Sequence, residues 1–335
     1  MSAESQFTAL VLKQNEVGKV TSRIQTLDNN TLPEGDVTVS IKYSALNYKD
    51  GLIIQGLGRL VRDYPHVSGI DFAGVIEQSE SPDYKPGDEV VLTGWRVGEA
   101  HWGGHATRAR VKSDWLVPLP EGLTLKQSMS IATAGLTAML AIMTLEEHGL
   151  IPDDEGEVLV TGAAGGVGSA AVSILAGLGY TVAAGTGRAE THNYLKNLGA
   201  AVIVDRAELQ EEPKGPLASQ RWAACIDNVG GQMLANVLAA LRYWGTVASV
   251  GNAGGIEFTA NVLPFLLRGI NLCGIDSSTC SKARRIIAWN RLSSELHLDK
   301  LDNMTNTAPL ADLPQLAGKI LQGQIQGRTV IDVQG

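Results

Sequence analysis

With 335 residues, the chain is longer than one hydrophobic core usually supports, so we expect two domains. Its composition, 44% hydrophobic and 19% charged residues, is typical of a soluble globular protein. The net charge of −8 argues against nucleic acid as the main partner, because phosphate binding needs a basic field. The three cysteines form neither a disulfide framework nor a CxxC site, which favours the reducing cytoplasm. No basic stretch leads into an apolar run near Met1, so we expect no secretory signal.

The first third of the chain predicts a β-rich domain. Residues 37–41 alternate between apolar and polar, and 74–76 and 89–92 are short apolar runs. A Pro-Gly pair at 86–87 marks a turn. These signals indicate short strands joined by loops.

The uncharged segment 128–145 reaches the length at which a membrane span is considered. Its serines and threonines make it only moderately apolar. We therefore expect a buried helix of a soluble protein and no membrane partner.

Strands and helices then alternate regularly. Six strand-like apolar runs lie at 158–161, 181–184, 201–204, 223–227, 246–250 and 271–274. Helical stretches lie near 169–178, 190–198, 232–241 and 261–268. This order predicts the α/β class with a doubly wound parallel sheet. A charged helix at 282–296 leads to a last strand near 326–333, so we expect a β-rich domain of 1–126 with 298–335 and a nucleotide-binding domain of 127–297.

The stretch EVLVTGAAGGVG at 157–168 carries the strongest functional signal. An apolar strand runs into a glycine cluster, and an apolar-periodic helix follows, which is the order that a dinucleotide pyrophosphate needs. Gly162 allows the tight turn, and Gly165 and Gly166 bring bare backbone close to the phosphates. Gly168 lets the helix pack onto the strand. The backbone N–H groups at the start of the helix then face the anion, with the helix dipole behind them. The alternative is an ordinary glycine-rich loop.

The residues after the second strand indicate which dinucleotide binds. A free ribose 2′-hydroxyl is usually held there by an acid, yet Ala184 is followed by Gly185, Thr186, Gly187 and Arg188. A hydroxyl and a guanidinium suit a 2′-phosphate. Arg206, after the third strand, adds a second positive charge. NADPH is therefore the expected cofactor, and the alternative is that Arg188 is a solvated residue at a helix start.

No metal site is expected. His101 and His105 lie in HWGGH, where the two glycines disfavour the helix that would bring both imidazoles to one metal, and no cysteine lies nearby. The YxxxK arrangement of short-chain reductases is also absent from every tyrosine of the sequence.

Several blocks together carry a family resemblance: LPEGDVTV, LNYKD, GIDFAG, LTGWRVGEAHWGG, GTGR, IDNVG, PFLLRG and GRTV. With the VTGAAGGVG turn, they resemble the acrylyl-CoA reductase (NADPH) group of the quinone-oxidoreductase branch of the zinc-independent medium-chain dehydrogenase/reductase superfamily. The resemblance runs over nearly the whole chain. Ala164 and Thr186 stand where the group often has serine, and both keep the chemistry, since one contact is backbone and the other a hydroxyl.

This resemblance implies a GroES-like catalytic domain and a six-stranded Rossmann domain, with the active site in the cleft between them. It implies NADPH contacts at Tyr48, Ala164, Gly165, Gly166, Val167, Thr186, Gly187, Arg188, Arg206, Asn252, Leu266 and Ser277. Two of these agree with the bare sequence: Asn252 and Ser277 follow the fifth and sixth strands, where ligands of such sheets bind. A homodimer is also implied.

The reaction implied is reduction of acrylyl-CoA to propanoyl-CoA. Hydride passes to the β-carbon, negative charge develops on the thioester oxygen as an enolate, and a proton then reaches the α-carbon. Tyr48 is the catalytic candidate, as a donor to that oxyanion or as a ring packed over the nicotinamide. Asn47 and Lys49 are candidate substrate contacts, and Asp50 is a candidate cap of the next segment. Arg59 and Arg62 are candidates for the coenzyme A phosphates.

Two other functions remain open from the sequence. An NADPH-dependent quinone or enone reductase would share the hydride chemistry without needing the coenzyme A tail. A non-catalytic NADPH-binding structural protein would keep the glycine turn but not need the polar NYKD cluster.

Overall fold

The computed structural model describes residues 5–152, 156–211 and 215–335, which form two compact units. The first unit comprises Met1–Thr133, Ser278–Ser293 and Leu301–Gly335. The second unit comprises Ala134–Ser277 and Ser294–Lys300. The first boundary therefore falls seven residues after the one expected from the sequence, inside a long helix.

Strands dominate the first part of the chain. The strands are β1 (Gln6–Gln14), β2 (Val20–Asp28), β3 (Val37–Leu46), β4 (His66–Val67), β5 (Asp71–Ser79), β6 (Glu89–Thr93), β7 (Arg108–Val111) and β8 (Leu116–Pro118). One short α-helix, α1 (Tyr48–Ile54), lies between β3 and β4. The apolar positions of β3 are buried as its alternation predicts, with Val39 and Ile41 fully enclosed. A small sheet has the strand order β2-β1-β4.

Helix α2 (Leu125–Glu147) is the long uncharged segment. By length and composition it could cross a membrane, but 89% of its most apolar window is buried inside the protein. The expectation that this segment is a buried helix is therefore confirmed. The helix is broken at Ala132, whose backbone has φ 45° and ψ −152°, a conformation costly for a residue with a Cβ.

The second unit is the doubly wound sheet. Its elements are β9 (Glu157–Val160), α3 (Gly166–Gly177), β10 (Val182–Thr186), α4 (His192–Leu198), β11 (Val202–Asp205), α5 (Arg206–Gln210), β12 (Trp222–Asp227), α6 (Gly231–Ala240), β13 (Leu241–Ser249), α7 (Leu263–Arg268) and β14 (Asn271–Gly274). All six strands are parallel, in the order β11-β10-β9-β12-β13-β14, so the Rossmann prediction is confirmed. The order reverses between β9 and β12, where such sheets bind ligands.

The chain then returns to the first unit. The last elements are α8 (Lys282–Glu295), α9 (Leu298–Asn303), β15 (Thr305–Pro309), α10 (Leu313–Leu321) and β16 (Arg328–Asp332). β16 is the strand expected near 326–333, and it pairs antiparallel with β3. It completes a seven-stranded sheet of order β15-β16-β3-β5-β6-β8, with β7 beside β3. The sequence did not predict α9, β15 or α10.

One segment lies in a different compact unit from the domain expected from the sequence. Residues 278–293 were expected in the nucleotide-binding domain, but they pack within the first unit. Arg285 of α8 is fully buried, and its Nη1 donates to the carbonyl and hydroxyl oxygens of Thr93, each at 2.8 Å. Trp289 is also enclosed. The charged helix has a buried face that its charge pattern does not reveal.

Candidate cofactor and catalytic site

The glycine turn (residues 162–168) joins β9 to α3. Gly162 has φ +59°, in the left-handed region that favours glycine. A Cβ placed on Gly168 would lie 2.4 Å from the backbone oxygen of Gly162, so no other residue fits there without moving the turn. The expected tight turn and close packing of helix on strand are both present.

The same turn leaves room for an anion. Gly165 precedes the first turn of α3 in an extended conformation, and a Cβ built on it would meet only the Gly162 oxygen, at 3.3 Å. The first N–H groups of a helix have no partner within it, and α3 begins with Gly166, Val167 and Gly168. Ala164 is buried beneath them. These residues fit a pyrophosphate bound through backbone donors.

Thr186 has a different position from the one expected. It is the last residue of β10, two residues beyond the expected strand end, and it is buried. Its Oγ1 accepts from the Arg188 N–H at 3.2 Å and lies 3.1 Å from Thr191 Oγ1. The hydroxyl of Thr191 in turn donates to the Arg188 carbonyl at 2.7 Å. Thr186 therefore shapes the GTGR turn.

Two arginines flank this turn. Arg206 begins α5, and its guanidinium lies over Gly187, where an added Cβ would meet Nε at 2.7 Å. The nearby carboxylate of Asp205 accepts from the Ala207 N–H at 2.8 Å and so caps α5. With Arg188 half-buried at the turn, the arrangement fits a 2′-phosphate.

Three further predicted contacts lie elsewhere in the second unit. Asn252 follows β13, directly after Gly251, whose N–H donates to the Asp227 carbonyl at 3.2 Å. Ser277 follows β14, and its hydroxyl accepts from Thr137 Oγ1 at 2.7 Å. Leu266 lies on α7 with 74% of its surface exposed. Its contact with NADPH stays a prediction.

The first unit holds the NYKD residues at the start of α1. Asp50 Oδ2 accepts from the Asn47 backbone N–H at 2.9 Å and from its Nδ2 at 3.2 Å, while Oδ1 accepts from the Ile70 N–H at 3.0 Å. Asp50 therefore caps the helix, as the sequence allowed. Its complete burial raises the pKa of Asp50 to about 6.

Asn47 is held from several sides. Its Nδ2 donates to Asp71 Oδ2 at 2.7 Å, and its Oδ1 accepts from Arg328 Nη1 at 3.2 Å. Asp71 also accepts from the Thr133 N–H at 3.0 Å, next to the break in α2. Asn47 is buried with both ends of its amide bonded within the protein. It fixes the backbone beside Tyr48, and burial raises the pKa of Asp71 as well.

The two neighbours of this cap differ sharply. Tyr48 is 45% exposed, and in the described part of the chain no hydrogen bond reaches its hydroxyl. Lys49 Nζ instead forms an ion pair with Glu99 Oε1 at 2.9 Å, and Glu99 is buried. Lys49 therefore anchors the loop that carries Glu99. The sequence did not predict this ion pair. Of the pair, Tyr48 is the residue available to a ligand.

The loop after α1 carries the other substrate candidates. Arg59 and Arg62 are both exposed, and Arg59 has φ +49°. Across the described ranges, neither guanidinium takes part in an ion pair. Two unneutralised cations on one loop can meet a phosphate.

The two histidines of HWGGH form hydrogen bonds with backbone carbonyl groups. His101 Nε2 bonds to the Arg110 oxygen at 2.8 Å, and His105 Nε2 bonds to the Ala45 oxygen at 3.2 Å. Complete burial lowers the pKa of His105 to about 4. Among the residues that the structure describes, no group of three or more His, Cys, Asp or Glu could hold a metal ion.

Known proteins resemble the chain over its whole length. A family model described as alcohol dehydrogenase GroES-like domain matches residues 33–121, and one described as zinc-binding dehydrogenase matches 166–293. The acrylyl-CoA reductase AcuI of Ruegeria pomeroyi is 58% identical, over 98% of this chain and 99% of that protein.

Solved structures share the fold as well. The YhdH oxidoreductase from Salmonella enterica in complex with NADP has 50% identity and a TM-score of 0.95, covering 97% of this chain and 99% of that one. The YhfP protein of Bacillus subtilis with NAD bound has 42% identity and a TM-score of 0.95, covering 98% and 99%. Both units therefore have counterparts in single proteins that bind a nicotinamide dinucleotide.

Proposed function

This chain belongs to the acrylyl-CoA reductase group of the quinone-oxidoreductase branch of the medium-chain dehydrogenases/reductases, and on that premise we propose that it reduces acrylyl-CoA to propanoyl-CoA with NADPH. The observation that carries the proposal is the full-length match to a named acrylyl-CoA reductase. The residues agree with it, because arginines stand where an NAD site usually has an acid.

Bound NADPH supplies the hydride for the β-carbon. The glycine turn holds the pyrophosphate through the first N–H groups of α3. Arg188 and Arg206 hold the 2′-phosphate. Tyr48 donates a hydrogen bond from its hydroxyl to the thioester oxygen, where negative charge develops as the hydride arrives. This hydrogen bond strengthens as negative charge develops on the oxygen, so its stabilisation is greater in the transition state than in the bound substrate.

Arg59 and Arg62 bind phosphates of the coenzyme A moiety. The whole chain is acidic, so a tail with three phosphate groups needs a local basic site. Both guanidiniums are exposed on the loop that follows α1. Tyr48 is the first residue of that helix, so the two arginines lie a short distance along the chain from it.

NADPH oxidation with acrylyl-CoA, crotonyl-CoA, a simple quinone and an acrylyl thioester lacking the nucleotide part of coenzyme A tests the proposal. We expect the highest kcat/KM with acrylyl-CoA and a large loss with the trimmed thioester. Replacing Arg59 and Arg62 together by Ala should raise KM for acrylyl-CoA but not for the trimmed thioester, while Arg23→Ala on β2 should change neither.

Other outcomes would identify a different protein. Indifference to trimming together with fast quinone turnover would make the chain a quinone or enone reductase. The absence of NADPH turnover with every electron-poor alkene would support a non-catalytic NADPH-binding protein.

We also propose that a second copy of the chain pairs with β14. This strand ends the six-stranded sheet, and Leu272 on it is 37% exposed. Trp244, Leu266 and Leu267 are also large exposed apolar side chains, on β13 and α7. Monomer mass in analytical ultracentrifugation would refute the homodimer, and Leu266→Glu should weaken it without changing the monomer fold. The three free cysteines support a cytoplasmic location.

A further inference from the structure

A closed set of hydrogen bonds lies where β9 and β12 end side by side. Thr161, the residue before the glycine turn, donates from Oγ1 to Asp227 Oδ1 at 2.6 Å. The Oγ1 of Thr161 also accepts from the Asn228 N–H at 2.9 Å. Asn228 Nδ2 donates to the Thr161 carbonyl at 2.8 Å. The side chain and carbonyl of Thr161 are therefore both bonded to the β12 end.

Asp227 is the last residue of β12 and accepts from the turn that follows. It is fully buried, and its Oδ2 accepts from the Gly230 N–H at 2.9 Å, while Oδ1 also accepts from Val229 at 3.3 Å. The backbone donors of this turn thus point at an internal carboxylate. The Val229 and Gly230 N–H groups are therefore not available to an anion above the sheet, whereas the first N–H groups of α3 have no partner within their helix.

The start of the glycine turn is fixed from both neighbouring strands. Gly162 follows Thr161 at once, and a Cβ built on it would lie 3.4 Å from the Asn228 Cβ. On the other side, the Ala163 N–H donates to the Gly185 carbonyl at 3.1 Å. The hydroxyl of Thr161 is a side-chain group that a substitution of nearly equal volume can remove, so the arrangement can be tested there.

We propose that Thr161 and Asp227 are positioning residues for the dinucleotide, holding the glycine turn so that the first N–H groups of α3 meet the pyrophosphate without rearrangement. Donors fixed in advance bind more tightly because no ordering cost is paid on binding. The inference rests on the cofactor site of the proposed function but not on its substrate. The pyrophosphate is common to NADPH and NADH, so both should depend on the pair equally.

The test is the Kd of NADPH and of NADH, measured without substrate by fluorescence titration. Thr161→Val removes the hydroxyl at nearly constant volume, and we expect both dinucleotides to bind about tenfold more weakly, as for the loss of one buried hydrogen bond. Thr161→Ser restores the hydroxyl and should bind as the unmodified protein does. Thr246→Val removes another buried hydroxyl of the same sheet, one that accepts from Asn271 Nδ2, and should leave both Kd values unchanged.

Unchanged Kd values in Thr161→Val, with only a lower melting temperature, would overturn the proposal. A loss confined to NADPH would also overturn it, because the 2′-phosphate and not the pyrophosphate would then be affected. If Thr161→Val fails to fold, Asp227→Asn decides in the same way, since its amide cannot accept from both Thr161 and Gly230. None of these outcomes depends on acrylyl-CoA turnover, so failure of the proposed reaction would be seen separately.

Discussion

The glycine turn and the start of α1 use opposite means to build a site. The turn depends on missing side chains: Gly168 tolerates no Cβ, and the donors for the ligand are backbone groups. The start of α1 depends on side chains, because Asn47 and Asp50 are held by a web of buried bonds that leaves Tyr48 exposed. A cofactor shared by many reactions is thus bound by main chain, while the residue proposed for this reaction is presented by side chains.

The strongest way to break the turn is Gly168→Ala. The new Cβ would meet the Gly162 oxygen at 2.4 Å, so helix and strand must separate. We expect NADPH affinity to fall by more than about a hundredfold, as expected when preorganised donors are lost. Gly318→Ala on α10 is the matched control, since nothing lies within 4 Å of its Cβ. Equal NADPH binding by both variants would contradict the close packing.

Arg188→Ala tests the preference for NADPH over NADH, which the glycine turn alone does not determine. We expect KM for NADPH to rise by about fiftyfold with little change for NADH, because charge-assisted bonds to the 2′-phosphate are lost. Steady-state kinetics with both cofactors measures this, with Arg23→Ala as the control. Equal effects on the two cofactors would remove the 2′-phosphate assignment.

Tyr48→Phe tests the start of α1, where side chains build the site. Loss of the hydroxyl should lower kcat by about tenfold while the Kd of NADPH stays near its original value, since the missing bond forms only in the reaction. Tyr43→Phe on β3 should leave both unchanged. An unaltered kcat would leave the ring of Tyr48 with a packing role, and a weaker Kd would place it against the nicotinamide.

Asp50→Asn gives the smallest effect, on stability. Burial raises the pKa of Asp50 from 3.8 to about 6 in the folded protein, so the native state binds more protons than the unfolded state between these values. Relative to the variant, the unmodified protein should therefore lose on the order of 1 kcal/mol of unfolding free energy as the pH rises from about 4 to 6. Urea unfolding at several pH values measures it. A difference independent of pH would refute the raised pKa.

Sequence reasoning was sufficient for the turn because its requirements are local. The glycines, the strand before them and the helix after them lie within a short stretch, and spacing alone predicts their conformation. The absence of an acidic residue between Ala184 and Arg188 could be recognised for the same reason, since it too depends only on a short stretch of sequence.

The start of α1 could not be read in this way. Asn47 and Lys49 were candidates for substrate, but their partners Asp71, Glu99 and Arg328 lie 24, 50 and 281 positions away. Only the folded sheet brings these groups together. Thr186 was placed after its strand because propensity does not fix where a parallel strand ends, and the six-stranded pairing carries it into β10.

The return of the chain to its first sheet also sets an order of events during synthesis. β16 pairs with β3, and Arg328 at its start reaches Asn47, so the capped start of α1 stays incomplete until residue 332 has left the ribosome. All six strands of the second unit have emerged by then and can pair while translation continues. The cofactor-binding unit is therefore able to fold first, and the residues that present Tyr48 are assembled among the last.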